Sequence, residues 1–408
     1  MKKLLTFVMA GGKGERLAPL TKDRAKPAVP FGGIYRIIDF TLSNCVNSGI
    51  RRIHVLVQYK SMSLARHIRM GWNVLNAEVG EYIDVVPAQQ RIDEHWYQGT
   101  ADSVYQNLYS IQSESPDHVL ILAGDHIYKM NYAQMLETHK ESGADLTIGV
   151  VPAPSVDAPS MGVVEVDGQN RVVGFEEKPM VPKTVPGDPR HIYGSMGIYI
   201  FERGVLEKEL IDDAKNADSQ HDFGKNIIPQ MIQKQKAKVV AHQFVDMNRK
   251  EALYWRDVGS LDAYYQANID LVQVDPKFNL YDRQWPIRTY QLQYPPAKFV
   301  WNQPLAGRRG MAVESLVADG CIISGGMVQH SILSQYVRVH SYAEVEDSVL
   351  LEGTDVGRRA KIKNAIIDKQ VKVMPNATIG YDRVLDRKRF TITPNGIVVV
   401  EKGAVVEA

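Results

Sequence analysis

Beyond Ser315, the aliphatic residues of this chain recur every six positions. An α-helix would place them about three or four positions apart, and a half-buried strand about two apart. Six is the repeat of a parallel β-helix, whose coils bury their aliphatic column only when they stack on one another. We therefore expect a solenoid that serves as a rigid platform for packing or oligomerisation. The series consists of Leu316, Ile322 and Val328; Leu333, Val339, Val345 and Leu351; Val356 and Ile362; and Ile367, Val373 and Ile379.

The enzymatic alternative for this region is an acyltransferase site between the coils of neighbouring subunits. That chemistry needs a histidine whose partners lie in a long loop. His330 and His340 are present, but no long insertion surrounds either of them. The pattern therefore favours a structural solenoid.

Composition restricts the partners of the chain. Its 48 Lys+Arg and 47 Asp+Glu give a net charge of +1, which argues against nucleic acid or an anionic membrane as the main partner. No segment approaches the roughly 20 apolar residues of a membrane span. The opening MKKLLTFVMAGG is interpreted as a strand rather than a signal peptide. Cys45 and Cys321 are too few for a disulfide framework, so we expect reduced thiols and a cytoplasmic protein.

The first half of the chain alternates apolar, β-branched runs with helical patterns, which predicts a mostly parallel sheet with crossover helices. Ligands bind beyond the carboxyl ends of such strands. The motifs AGG at residue 10 and AGD at residue 123 both follow predicted strands, so we expect them to meet at one site. The predicted division is a catalytic domain over 1–275, a linker over 276–312 and the solenoid over 313–408.

The stretch AGGKGERL follows the first strand, and we compare it with three kinds of phosphate-binding loop. It lacks the Lys-Ser/Thr ending of a P-loop, and Leu17 stands where the third glycine of a dinucleotide fingerprint would be. The remaining possibility is a glycine turn whose backbone amides approach a triphosphate. Lys13, Arg16 and Lys26 would supply positive charge to the phosphate oxygens.

These motifs, together with LT..RAKPAVPFGG..RIIDF, resemble the sugar nucleotide pyrophosphorylases, and among them the glucose-1-phosphate adenylyltransferases of bacteria and plants. The resemblance continues through VVPAQQR, WYQGTADSVYQN, VLILAGDHIYKM, FEEKP, HDFGK and YWRDVG, and covers essentially the whole chain. It implies a Rossmann-like, mostly parallel nucleotidyltransferase domain followed by a left-handed parallel β-helix of hexapeptide repeats. It also implies an enzyme that makes ADP-glucose and pyrophosphate from ATP and glucose 1-phosphate for glycogen synthesis, with Mg²⁺, as a homotetramer.

The resemblance also implies roles for individual residues. Asp125 and Asp257 would hold Mg²⁺, which prefers oxygen ligands. Lys13 and Arg16 would stabilise the leaving pyrophosphate, and Lys26 would reach the phosphates. Preference for adenine rests on the resemblance, and transfer of a uridylyl or thymidylyl group is the nearest alternative. A non-catalytic regulatory subunit would have lost Asp125 or Lys13. The residues assigned to ATP are Gly11, Gly12, Gln89, Gly99 and Thr100, and those assigned to glucose 1-phosphate are Tyr97, Gly162, Glu177, Lys178 and Ser195.

Members of this family are commonly regulated by anions bound between the two domains by basic side chains. Arg24, Arg36 and Arg387 are the candidate effector residues here. Many relatives have a cation where this chain has Asp23, whose carboxylate would repel an anion. We therefore expect altered or weakened activation by sugar phosphates. Asn226 stands where an acid is usual, and Met161 replaces a usual aromatic residue before Gly162.

Overall fold

The computed structural model describes residues 3–89, 95–234, 237–248, 250 and 252–408. Strands and helices alternate through the first part, as the apolar pattern predicts. These elements are β1 (Leu4–Met9), β2 (Pro30–Phe31), β3 (Tyr35–Arg36), α1 (Ile37–Asn47), β4 (Arg52–Val57), α2 (Met62–Gly71), β5 (Tyr82–Pro87), α3 (Thr100–Tyr105), α4 (Leu108–Glu114), β6 (His118–Ala123), β7 (His126–Tyr128), α5 (Tyr132–Ser142), β8 (Leu146–Pro154), β9 (Gly162–Val166), β10 (Val172–Glu177), β11 (His191–Glu202), α6 (Arg203–Ala214), α7 (Ile228–Gln233), β12 (Val239–Gln243), β13 (Trp255–Asp257) and α8 (Leu261–Ile269).

The main sheet is parallel on the side that carries the glycine turn. Strand β1 lies between β4 and β6, with β5 at the edge beyond β4, and all of these pairings are parallel. The rest of the sheet is mixed, because β11 runs antiparallel to β6, β8 and β9. Strand β1 has the sequence LLTFVM and is almost entirely buried, as expected for a central strand covered by helices on both faces.

The second part is built from short strands, most of which pair in parallel with a strand of the next coil, whereas two pairings are antiparallel. The first of them, β14 (Lys298–Val300), lies within the segment predicted as a linker, yet it pairs with β19 (Ile322–Ser324). The elements are β14 (Lys298–Val300), β15 (Asn302–Gln303), β16 (Arg308–Arg309), β17 (Met311–Val313), β18 (Leu316–Val317), β19 (Ile322–Ser324), β20 (Met327–Gln329), β21 (Ile332–Leu333), β22 (Arg338–Val339), β23 (Glu344–Leu350), β24 (Asp355–Val356), β25 (Lys361–Ile367), β26 (Lys372–Val373), β27 (Thr378–Ile379), α9 (Arg383–Arg389), β28 (Thr391–Ile392), β29 (Val398–Val400) and β30 (Val405–Val406).

The six-residue period does mark the solenoid core. Val339 pairs with Val356, which pairs with Val373, so aliphatic side chains from successive coils stack in one buried column. Three members of the series lie outside this column. Ile322 is only partly buried beside the fully buried Ile323, and Leu316 and Leu351 pack in the cluster described next.

A shared apolar cluster joins the two parts of the chain. It contains Phe31 and Leu261 from the first part, and Ile332, Leu351 and Ile366 from the solenoid. Leu351 thus belongs to the interface cluster, and its neighbour Leu350 belongs to the solenoid column. Burying these side chains removes apolar surface from water, which holds the solenoid against the first part. Among the described residues, no helix combines the length and the apolar character that crossing a membrane requires.

Candidate active site

The two predicted strand ends lie side by side. Met9 of β1 pairs with Ala123 of β6, and the backbone N–H of Gly124 donates to the carbonyl of Met9 over 3.1 Å. The glycine turn at Gly11 and the acidic turn at Asp125 therefore leave the sheet together. This arrangement confirms the expectation that the AGG and AGD motifs meet at one edge.

A second carboxylate reaches this edge from much later in the chain. Strand β13 pairs antiparallel with β7, which places Asp257 opposite His126. One ligand atom from each of Asp125, His126 and Asp257 lies within 4.8 Å of the others. Carboxylate oxygens at this spacing suit a divalent cation, with substrate phosphates completing its coordination. The residues present therefore fit the metal that the sequence predicts.

Lys26 lies between the two carboxylates. Its Nζ donates to Asp125 Oδ2 over 2.7 Å and to Asp257 Oδ1 over 3.0 Å. The lysine is only 8% exposed. Burial lowers its pKa, but the two carboxylates outweigh burial and raise the pKa above the ordinary value. Burial likewise raises the pKa of Asp125, and the ammonium of Lys26 with the ring of His126 brings it below its ordinary value. The site therefore favours a charged lysine beside a charged Asp125 carboxylate.

The other two predicted cations lie further out. The guanidinium of Arg16 reaches the turn after Asp257, where its Nη2 is 3.0 Å from the position that a Cβ on Gly259 would occupy. Lys13 is exposed, with its Nζ 5.5 Å from the centre of the Tyr59 ring. It lines a neighbouring cleft of about 610 Å³ and not the cavities described below.

A cavity of about 500 Å³ opens beside the glycine turn. Four of the five residues predicted to bind ATP line this cavity, namely Gly11, Gly12, Gly99 and Thr100, whereas Gln89 does not. Gln89 is exposed just beyond β5, and Gln90 and Arg91 of the same motif lie outside the described residues. Further lining residues that the sequence did not single out include Gln58, Tyr59, Gln98, Ser103 and Asp222.

Gly99 allows a close backbone approach in this cavity wall. A Cβ at this position would lie 2.2 Å from the carbonyl oxygen of His221 and 2.4 Å from that of Gln220. Those distances leave no space for any side chain. The chain thus enters α3 directly against the 220–222 segment, which brings Thr100 and Asp222 together.

A second cavity of about 210 Å³ adjoins the first, and both are lined by Met9, Thr100 and Asp222. Gly162, Glu177 and Ser195, three of the residues assigned to glucose 1-phosphate, line this smaller cavity with Asp257. Tyr97 lines the larger cavity instead. Lys178 is half exposed and pairs with Glu177 over 3.0 Å.

Asp222 is one of the residues at this site that the sequence did not single out. One of its oxygens accepts from the hydroxyl of Thr100 over 2.9 Å, and the other accepts from the backbone N–H groups of Gly224 and Lys225. It therefore fixes the wall shared by the two cavities. The available signal was the acid two residues before a glycine in HDFGK, which is typical of a cap on a helical turn.

The candidate effector residues are not equivalent. Arg24 donates from Nη2 to both carboxylate oxygens of Asp368 over 2.9 Å, and both side chains are buried. Arg36 lines a cavity of about 110 Å³ between the two parts of the chain, where burial lowers its pKa. Arg387 is exposed on α9 and does not line that cavity.

The fold and the site together define a nucleotidyltransferase. Residues 5–274 match the family described as nucleotidyl transferase, and residues 295–400 match the GlmU-like, C-terminal hexapeptide family. These matches, with the parallel strand pairing, confirm the predicted fold class, a Rossmann-like domain followed by a left-handed β-helix.

Curated relatives narrow the class further. The chain is 54% identical to a glucose-1-phosphate adenylyltransferase of Rhodopirellula baltica, covering 100% of this chain and 91% of the relative. It is 54% identical to that of Koribacter versatilis, covering 98% and 96%, and 53% identical to that of Methylococcus capsulatus, covering 98% and 93%. The chain belongs to the glucose-1-phosphate adenylyltransferase family.

Proposed function

We propose that this chain transfers the adenylyl group of ATP to glucose 1-phosphate, forming ADP-glucose for glycogen synthesis and releasing pyrophosphate. The observation that carries the proposal is the lysine-bridged carboxylate pair at the junction of two cavities. Asp125 lines the larger cavity and Asp257 the smaller one, and Lys26 binds both. A nucleoside triphosphate and a sugar phosphate in these cavities would meet at that junction.

The reaction needs charge neutralisation more than proton transfer. A phosphate monoester has a second pKa of about 6, so the attacking oxygen of glucose 1-phosphate is already anionic at neutral pH. The polyanions must therefore be brought together and aligned for in-line attack at the α-phosphorus. Lys26 supplies a fixed positive charge at this point, and Arg16 extends it toward the leaving pyrophosphate. Mg²⁺ held by Asp125 and Asp257 would neutralise further phosphate charge.

The residues lining the cavities determine how each substrate is placed. In the larger cavity, Gly11 and Gly12 present backbone to the phosphates, and Gly99 and Thr100 lie beside the nucleoside. In the smaller cavity, Glu177 accepts hydrogen bonds from sugar hydroxyls and Ser195 contributes its hydroxyl. We keep Gln89, Tyr97 and Lys178 as substrate residues and Lys13 as a pyrophosphate ligand. Each of these four lies outside its expected cavity, so substrate binding would have to move its side chain.

Pyrophosphate release tests the proposal directly. The purified protein would be given glucose 1-phosphate and Mg²⁺ with ATP, UTP, dTTP or GTP in separate reactions. We expect release with ATP to exceed release with each of the other nucleotides. A preference for UTP or dTTP would retain the mechanism and overturn the adenylyl assignment. Silence with all four nucleotides would favour a regulatory subunit.

Gly162→Ala should impair glucose 1-phosphate binding selectively. A Cβ at this position would lie 2.7 Å from Phe175 Cζ and 2.9 Å from Glu177 Oε2, so Glu177 would be displaced. We expect the KM for glucose 1-phosphate to rise by about tenfold, with the KM for ATP little changed. Gly168→Ala is the matched control, because no atom lies within 4 Å of its added Cβ. Equal changes in both KM values would contradict the placement of the sugar.

We further propose an anion-binding site at the interdomain cavity, with Arg36 as its main cation and weak activation by sugar phosphates. Arg24 is already paired with Asp368, and Asp23 adds a carboxylate to the same loop, so less positive charge remains for an anion. Arg387 would contribute only if α9 approached the cavity. Strong activation of the purified enzyme by fructose 1,6-bisphosphate would overturn this proposal.

We also propose an oligomeric state and a location for this protein. Phe299, Trp301 and Leu305 expose apolar surface on the first coil of the solenoid, which suits a subunit contact. We propose a homotetramer, which light scattering of the purified protein would test. A cytoplasmic location is proposed because Cys45 and Cys321 are free, buried thiols, as expected of a reducing compartment, and cell fractionation would test it.

A further inference from the structure

Three consecutive residues of the loop before Lys26 are each paired with the solenoid. Lys22 Nζ lies 2.7 Å from Glu401 Oε2, and Asp23 Oδ2 lies 3.7 Å from Lys402 Nζ. The third residue, Arg24, bonds to both oxygens of Asp368. The loop therefore presents charges in the order positive, negative, positive, and each residue of the loop faces a solenoid residue of the opposite charge.

We propose that Lys22, Asp23 and Arg24 form a clamp through which the solenoid positions Lys26 in the active site. The role of Lys26 rests on the proposed function, whereas the clamp itself rests on the ion pairs alone. The residues of the clamp are positioning residues, because they act on the reaction only through the loop that they hold.

The alternating charges determine the register of this contact. Displacement of the loop by one residue in one direction would place Lys22 opposite Lys402 and Asp23 opposite Asp368. Displacement in the other direction would place Asp23 opposite Glu401. Like charges would then face each other, so the observed register is electrostatically distinct from its neighbours. The pairs Lys22–Glu401 and Asp23–Lys402, called the outer pairs below, are exposed and individually weak. Arg24 and Asp368 are buried, with side chains 7% and 2% exposed, and form the anchor.

The clamped segment is also tied to the glycine turn. The hydroxyl of Thr21 donates to the carbonyl of Gly14 over 2.9 Å, and Lys60 Nζ donates to the carbonyl of Thr21 over 2.8 Å. On the other side of the clamp, Lys26 begins a short 3₁₀ turn after Ala25. The clamp thus lies between the two elements that would hold phosphates.

The cleft beside the glycine turn has the solenoid as one of its walls. Lys13, Tyr59 and Lys22 line it from the first part of the chain, and Thr391 and Glu401 from the solenoid. Because Tyr59 also lines the proposed nucleotide cavity, the cleft that contains the Lys22–Glu401 pair adjoins that cavity. A shift of the solenoid would therefore be transmitted to the loop that carries Lys26.

Reversal of the outer charges tests the clamp and leaves the buried anchor intact. The loop reversal combines Lys22→Glu with Asp23→Lys, and the solenoid reversal combines Glu401→Lys with Lys402→Glu. Each conserves net charge and turns both outer pairs repulsive, and the fourfold variant makes them attractive again. The control is Lys361→Glu, which faces Glu344 across an exposed solenoid pair of 3.0 Å.

We expect each reversal to lower kcat by about tenfold, because small displacements of a catalytic charge are costly. The KM for ATP should change by no more than about twofold. Hydrogen exchange in segment 18–30 should become faster in both reversals, since the loop loses its attachment. The fourfold variant should restore the kcat and the exchange rate, and Lys361→Glu should change neither.

The outcomes separate the clamp from the proposed function. If the wild-type enzyme releases no pyrophosphate, the proposed function fails, and hydrogen exchange alone decides whether the clamp exists. If exchange in segment 18–30 follows the charges but kcat does not, the pairs are structural and the positioning role is overturned. Failure of the fourfold variant to restore either quantity would also overturn the proposal.

Discussion

Asp125→Asn is expected to lower kcat by roughly a thousandfold and to raise the Mg²⁺ concentration needed for half-maximal activity. The substitution preserves the size of the side chain but removes one of the two carboxylates that face each other across Lys26. Loss of one preorganised electrostatic group at a reaction centre has effects of this size. Steady-state pyrophosphate release, titrated with Mg²⁺ at saturating substrates, measures both quantities.

The matched control for this prediction lies at the other end of the same strand. Asp117 precedes β6, whereas Asp125 follows it, and Asp117 forms an exposed pair with Lys3 over 3.3 Å. Asp117→Asn should leave kcat and the Mg²⁺ requirement unchanged, because the amino ends of the parallel strands lie away from the site. A kcat for Asp125→Asn within about tenfold of the wild type would refute the catalytic role of this carboxylate.

Local sequence patterns were sufficient to predict the part of this site that the AGG and AGD turns form. The AGG and AGD turns follow apolar runs, and parallel strands in a sheet place their carboxyl ends at a common edge. Asp257 could not be placed in this way. Its strand, β13, has only three residues and joins the site through an antiparallel pairing with β7. That pairing depends on the tertiary fold, so Asp257 was found through the family resemblance.

The positions of the charged side chains could not be predicted from the sequence. Lys13 and Lys26 lie in the same cationic stretch, yet Lys26 is buried between two carboxylates and Lys13 is exposed beside Tyr59. Asp23 was expected only to repel anions, whereas its carboxylate faces Lys402. Each difference arises from partners that lie far away in the sequence, and local propensity contains no information about them.

In the solenoid, the sequence predicted the fold but not every inward-facing position. Its six-residue period predicted the fold correctly, but stacked positions such as Glu344 and Lys361 lie 17 residues apart. Three hexapeptides would span one residue more than this, so the inward position must slip along the series. The slip places Ile323 inside where the period pointed to Ile322, and leaves Leu351 free to pack against the first part of the chain.

Lys26→Met should separate two roles that the lysine plays at the carboxylate pair. We expect kcat to fall by between about a hundredfold and a thousandfold, because a fixed positive charge is lost where phosphate charge accumulates. The Mg²⁺ requirement should fall as well, since the ammonium no longer competes with the cation for Asp125 and Asp257. This direction is opposite to that expected for Asp125→Asn. Lys3→Met, at the far end of the sheet, should change neither quantity. A lower kcat with a raised Mg²⁺ requirement would instead mean that Lys26 holds the two carboxylates in place for the metal, and that its charge does not act on the substrate.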